Sequence, residues 1–165
     1  GLRMDVIEYD GEITRLARRW FYLDDLERTV GDRLRVITAE ARSYLGVTSV
    51  GHRRYDVVVS DCFGGAEPVR ELATVEALRL VRGSLNFGGV YVANIVSASE
   101  GSDVTFLRDC VATALEVFAH ARVVPCGDTE FGGEENYLLI ASDGDYAFAD
   151  AVPFDTDFLG TVLHD

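Results

Sequence analysis

Apolar and polar positions along this chain follow two rhythms. Met4 to Tyr9, Leu34 to Thr38, Tyr55 to Ser60, Val90 to Val96, Ala121 to Cys126 and Asn136 to Ala141 are short apolar runs that read as strands. Between them apolar residues recur every three or four positions, the spacing of a helix face. Ile13, Leu16, Ala17 and Trp20 do so, with Arg15, Arg18 and Arg19 facing out, and Trp20 and Phe21 read as core. Ala41 to Leu45 begins a short helix, followed by a polar loop over residues 46–54. Pro68 opens a helix to about Leu85 whose inner side carries Leu72, Val75, Leu78 and Val81 or Arg82. Asn86-Phe87-Gly88-Gly89 ends it, glycine supplying the positive φ of a helix C-terminus. Ser102 and Asp103 cap a further helix bearing Val104, Leu107, Val111, Leu115 and Phe118. Strands alternating with helices at this interval predict an α/β fold, a doubly wound, mostly parallel sheet with helices on both faces. Residues 1–142 form that domain, and residues 143–165 an acidic tail that Phe148, Phe154 and Phe158 tuck onto it.

The chemistry concentrates at Tyr55 to Glu67. Val57 to Val59 read as a buried central strand, because parallel strands covered on both faces are continuously apolar. Asp61 follows, with Gly64 and Gly65 close behind. Ligands of open α/β sheets bind beyond the carboxyl ends of the strands, so a carboxylate there can face a substrate. It can equally cap the next turn.

Composition removes several classes of function. The net charge is −13, and it is uneven: residues 1–83 hold 13 Arg against 14 acids, residues 84–165 hold 2 Arg against 14. That balance argues against nucleic acid, which needs clustered cations, and favours cationic small molecules. Cys62, Cys110 and Cys126 are odd in number and far apart, against a disulfide framework or zinc site and in keeping with a reducing cytosol. His52, His120 and His164 are as scattered, so no metal is expected. No apolar run is long enough to span a bilayer, and nothing reads as a signal peptide. Gly132-Gly133, with Glu134 and Glu135, sits on a loop that reads as solvated.

The succession DVIEYD, RLARRWF, RLRVITAEAR, YDVVVSDCFGG, LNFGGVYVANIV and NYLLIAS resembles the spermidine synthase-like proteins. These are aminopropyltransferases built on the class I S-adenosylmethionine methyltransferase fold. The resemblance runs from about residue 4 to residue 142. It implies transfer of an aminopropyl group from decarboxylated S-adenosylmethionine to an amine such as putrescine, in the cytoplasm, without a metal, by proteins that commonly pair as homodimers. It implies roles too: Glu8 would bind the ribose hydroxyls, Glu40 the adenine amino group and Asp61 the attacking amine. A carboxylate suits a diol because it accepts from both hydroxyls. It suits an amine with a pKa of about 10.4, which must shed a proton before it attacks.

The chain departs from that family in several ways. Gly64 stands where the family has a second Asp, which leaves putrescine specificity open, with Glu67 as a substitute. Aromatic and Gln residues of the amine pocket have no counterpart. The first strand and its glycine-rich loop are absent, so the sheet is expected to be incomplete at the N-terminus. Gly1 would then not be the natural start, or a different chain would complete the sheet. The alternatives are a methyltransferase using intact S-adenosylmethionine and a catalytically silent binding or assembly module. Cys62 has no base near it in sequence and is not read as a nucleophile.

Overall fold

The computed structural model describes residues 1–64, 67–98, 105–127, 134–151 and 160–165. The chain divides into two compact units, Gly1–Val47 and Thr48–Asp165.

In the first unit, strands β1 (Met4–Glu8) and β2 (Leu34–Thr38) pair in parallel, Val6 opposite Val36 and Glu8 opposite Thr38. Helix α1 (Gly11–Trp20) starts where Asp10 accepts a hydrogen bond from Glu12 N, with Glu12 in the first turn and Arg18 and Arg19 in the last, in line with the helix dipole. Tyr22, at φ 61°, breaks the chain before α2 (Leu23–Val30). α2 is not among the expected elements, although Leu23, Leu26 and Val30 stand at the i, i+3, i+7 spacing of a helix face. Arg18 joins the two helices through a two-pronged contact with Glu27, 2.9 and 2.8 Å, and that guanidinium holds the Glu27 carboxyl below its usual range. The apolar stripe of α1 is not core: Ile13, Leu16, Trp20 and Phe21 are all exposed, and Thr14 is its buried residue. The expectation that Trp20 and Phe21 pack inside is thus corrected. Spacing identifies an apolar face and cannot say whether anything covers it.

In the second unit, β3 (Tyr55–Ser60), β6 (Leu85–Ala98), β8 (Glu134–Ser142) and β7 (His120–Pro125) lie side by side in that order. β3 is parallel to β6, whereas β8 runs antiparallel to both β6 and β7, so this sheet is mixed. Helix α4 (Val75–Ser84) buries Val75, Leu78 and Val81, and α5 (Thr105–Val117) buries Leu107, Val111 and Ala114. These pack with Tyr91, Ile95 and Leu139 as the core, where the Tyr91 and Phe118 rings stack 6.2 Å apart.

Several local expectations are corrected. α4 begins at Val75, capped by the Thr74 hydroxyl, and not at Pro68. Pro68 instead sits in a two-residue ladder, β4 (Phe63–Gly64) against β5 (Glu67–Pro68). Helix α3 (Ala41–Val50) occupies most of the stretch read as a loop. α4 ends at Ser84, so Gly88 serves a different turn: Asn86 to Gly89 are extra residues between the Tyr55–Leu85 and Val57–Val90 pairs, and Gly88 turns there at φ 71°. Most consequential is β3. It pairs on one side only among the described residues, and Val57 and Val59 are 51% and 67% exposed. The run read as a buried central strand lies at a sheet edge.

Residues 160–165 dock through polar contacts to α4 and α5. Thr161 N donates to Asp109 Oδ1 (2.7 Å), Leu163 N to Thr113 Oγ1 (2.9 Å), and Leu163 O accepts from Val75 N (2.9 Å). Phe148 is half-buried; Phe154, Phe158, Ser102, Asp103, Val104, Gly65 and Gly132-Gly133 lie outside the described residues.

Thr113 is fully buried, and its hydroxyl also donates to Asp109 O. Thr113→Val keeps the shape and strands the Leu163 amide. The expected cost is about 1–3 kcal/mol in denaturant unfolding, with faster hydrogen exchange at Leu163. An unchanged Leu163 exchange rate would show that the hydroxyl does not hold this segment.

Candidate functional site

The carboxyl ends of β1 and β2 place two acids. Glu8 closes β1; Oε1 accepts from Asp10 N at 2.8 Å, and Oε2 has no hydrogen bond among the described residues. Ala39 N, just past β2, donates to Glu8 O and extends the β1–β2 ladder. Glu40 follows β2, and both of its oxygens are held at the start of α3: Oε1 accepts from Arg42 N and Oε2 from Ser43 N, each 2.7 Å. The Ser43 hydroxyl and these two amides hold the Glu40 carboxyl below its usual range, the charged Arg42 adding to the effect. Glu40 is therefore a helix cap. A carboxylate has about four lone-pair sites, so these three bonds still leave acceptor capacity for a ligand.

In the second unit Asp61 is the first residue past β3 and is exposed. Ser60 pairs with Ala93, so Asp61 comes level with Asn94 on the parallel neighbour β6. Asn94 Nδ2 donates to Asp61 Oδ1 at 2.9 Å, and Asp61 Oδ2 has no partner among the described residues. Asp61 thus does not cap a helix; a side chain from the adjacent strand holds it. Asn94 is the residue that the sequence reading missed. Its signal is an amide inside the apolar run VYVANIV, level with the acid.

Behind Asp61 is a cavity of about 30 Å³ whose lining includes Ser60, Cys62, Tyr91, Phe106 and Cys110. Burial pushes the Cys110 thiol up to about 12, with nearby Asp109 adding to it, so it stays protonated and unreactive. Burial likewise raises the Tyr91 phenol, partly offset by a hydrogen bond with Ser60. A larger concavity, about 400 Å³, is lined by Arg79, Arg82, Asn86, Phe87 and Gly88. It lies at the amino end of β6, and α/β ligands bind beyond the carboxyl ends, so Asp61 marks the better candidate site.

No family model matches the chain. Over 97 residues it is 33% identical to a polyamine aminopropyltransferase of Vibrio vulnificus, a match covering 59% of this chain and 31% of that one. A probable spermidine synthase from Corynebacterium glutamicum superposes with a TM-score of 0.72 at 29% identity, over 88% of this chain and 49% of that structure. This chain is similar to the spermidine synthases in sequence and fold. A methyltransferase from Pyrococcus furiosus has the same fold at a TM-score of 0.58 and 16% identity, over 87% of this chain and 64% of that one. The chain thus has the class I methyltransferase-like α/β fold expected of it. It spans about half the length of the spermidine synthase structure it matches. No described helix is long and apolar enough to cross a membrane, and no three described His, Cys, Asp or Glu residues are placed to hold a metal.

The Glu40 cap has a pH signature. Its carboxyl is lowered in the fold, so its contribution is complete above the unfolded value of about 4.3 and is lost as pH falls through the lowered one. The amide resonances of Arg42 and Ser43 should titrate together in that acid range and stop doing so in Glu40→Gln. Titration that persists in the variant would assign the effect to another acid.

Proposed function

We propose that this chain supplies the nucleoside- and amine-facing carboxylates of an aminopropyltransferase that uses decarboxylated S-adenosylmethionine. The observation that supports this best is Asp61, just beyond a strand's carboxyl end, with Oδ1 held by Asn94 and Oδ2 open. A primary amine donates to Oδ2 and is oriented by it. Its proton passes to the carboxylate, directly or through water, which frees the nitrogen lone pair. The nitrogen attacks the aminopropyl carbon bonded to the sulfonium. As the C–N bond forms the C–S bond breaks, its electron pair stays on sulfur, and a neutral thioether leaves. No metal is needed in this scheme, because the sulfonium is already an activated leaving group.

Glu8 is assigned to the ribose hydroxyls and Glu40 to the adenine amino group. Glu8 Oε2 is unengaged among the described residues, and Glu40 keeps some acceptor capacity after capping α3. The acceptor is a small cationic amine. Gly64 lacks the carboxylate that would grip the far ammonium of putrescine, so acceptors with a single amino group belong in the screen. A cytoplasmic location and a homodimer accompany this reading through the resemblance.

Calorimetric titration with decarboxylated and with intact S-adenosylmethionine tests the proposal. Tighter binding of the decarboxylated form is expected; preference for the intact form would replace aminopropyl by methyl transfer, and binding of neither would make the fold a scaffold. Asp61→Asn should lower turnover by about 10²–10⁴-fold while donor binding persists. Undiminished turnover would remove Asp61 from the mechanism.

A further inference from the structure

We infer that Asn94 is the positioning residue for Asp61, a role that rests on the reading of Asp61 as the amine-binding carboxylate. Along β6 the odd positions Tyr91, Ala93, Ile95 and Ser97 are buried in the core, while Val90, Val92, Asn94 and Val96 share the half-buried face. An apolar residue at 94 would continue that Val-lined face. The amide that stands there makes one side-chain hydrogen bond, Nδ2 to Asp61 Oδ1 at 2.9 Å. Its own Oδ1 is buried without a partner among the described residues. A buried acceptor with no donor costs stability, and proteins keep such groups where another demand outweighs the cost.

The same orphan identifies what orients the amide. Nothing else among the described residues holds either end of it, so Asp61 alone sets which way it faces. Turned over, the amide would set its oxygen against the carboxylate and lose its single bond. Strand pairing fixes the base of Asn94, because Ser60 and Ala93 are register partners. The N–H therefore meets Asp61 from a rigid element, stops the carboxylate from rotating and leaves Oδ2 as the free face for the amine. Charge-assisted bonds of this kind are short and directional, as positioning requires. Asn94 touches no reacting atom in this scheme and acts through Asp61.

Asn94→Leu in the full chain separates positioning from support, because it removes both the donor and the orphaned acceptor while keeping about the same size. Turnover should fall by about 10²-fold, the scale of a misplaced reacting group, with no loss of thermal stability. KM for the nucleoside donor should stay within about twofold, since the lost contact matters at the reacting centre. Asn94→Ala, smaller and equally unable to donate, should give the same kinetic split if leucine overfills the site. Wild-type turnover in these variants overturns the proposal, as does a loss of turnover that merely follows a loss of folded protein. The pair can also be read without activity, from the Asn94 side-chain amide resonances in wild type and Asp61→Ala. Movement of those resonances in a protein that turns over no amine would retain the Asn94–Asp61 pairing and sink the transferase reading. Resonances that stay in place would overturn the inference about Asn94.

Discussion

The parallel pairing of β3 with β6 is the constraint on which the rest of the candidate site depends. Once Val57, Val58 and Val59 lie beside Val90, Tyr91 and Val92, Ser60 comes opposite Ala93 and Asp61 opposite Asn94. A slip of one residue would turn every β3 side chain to the other face and part the acid from the amide. The register is secured on the far side of β6, where nine successive residues pair with β8, from Val90–Ser142 to Ala98–Glu134. α4 and α5 bury that ladder beneath Val75, Leu78 and Val111. The part of the sheet that carries no proposed chemistry is thus what makes the position of Asp61 reproducible.

That arrangement has a cost on the opposite edge. Among the described residues β3 is paired on one side, and two of its three valines are exposed. Proteins usually blunt such edges with charge, proline or a bulge. Here Asp56, tied to Asn86 Nδ2 at 2.7 Å, is the charge within the strand, and the extra residues Asn86 to Gly89 perturb the pairing at its amino end. Toward the carboxyl end, Val57 and Val59 have no comparable protection. The end that bears Asp61 is the less shielded part of this strand.

Much of this was legible from residue order alone. Leu34–Thr38 is a strand with the bounds its apolar run predicts, and α1 covers the residues its spacing predicts. All three proposed acids lie at or just beyond strand carboxyl ends, as the sequence placed them. What could not be read is what depends on neighbours. Whether Ile13, Trp20, Val57 and Val59 are covered is decided by the partner of a face or edge, and periodicity carries no record of that. Pro68 is compatible with a helix start and with a short strand; pairing with Phe63 decided for the strand. Asn94 was hidden for a related reason, since its importance lies in a residue 33 positions away.

The three acids also differ in how each is held, and this bears on which one does chemistry. Glu8 and Glu40 accept bonds from backbone amides two or three residues ahead, so each turn fixes its own acid. Such local grips suit a static role, in which the carboxylate meets neutral hydroxyls or an amino group and need not change its proton count. At Glu40 the grip also favours the ionised form, and its carboxyl is lowered. A group that takes a proton from an amine must remain able to accept one. Asp61 is gripped at one oxygen only, by a neutral side chain, and keeps the other open to solvent and substrate. Of the three it alone is held from a neighbouring strand by a neutral side chain and not by the amides of its own turn, which is why the amine is assigned to it and the nucleoside to the other two.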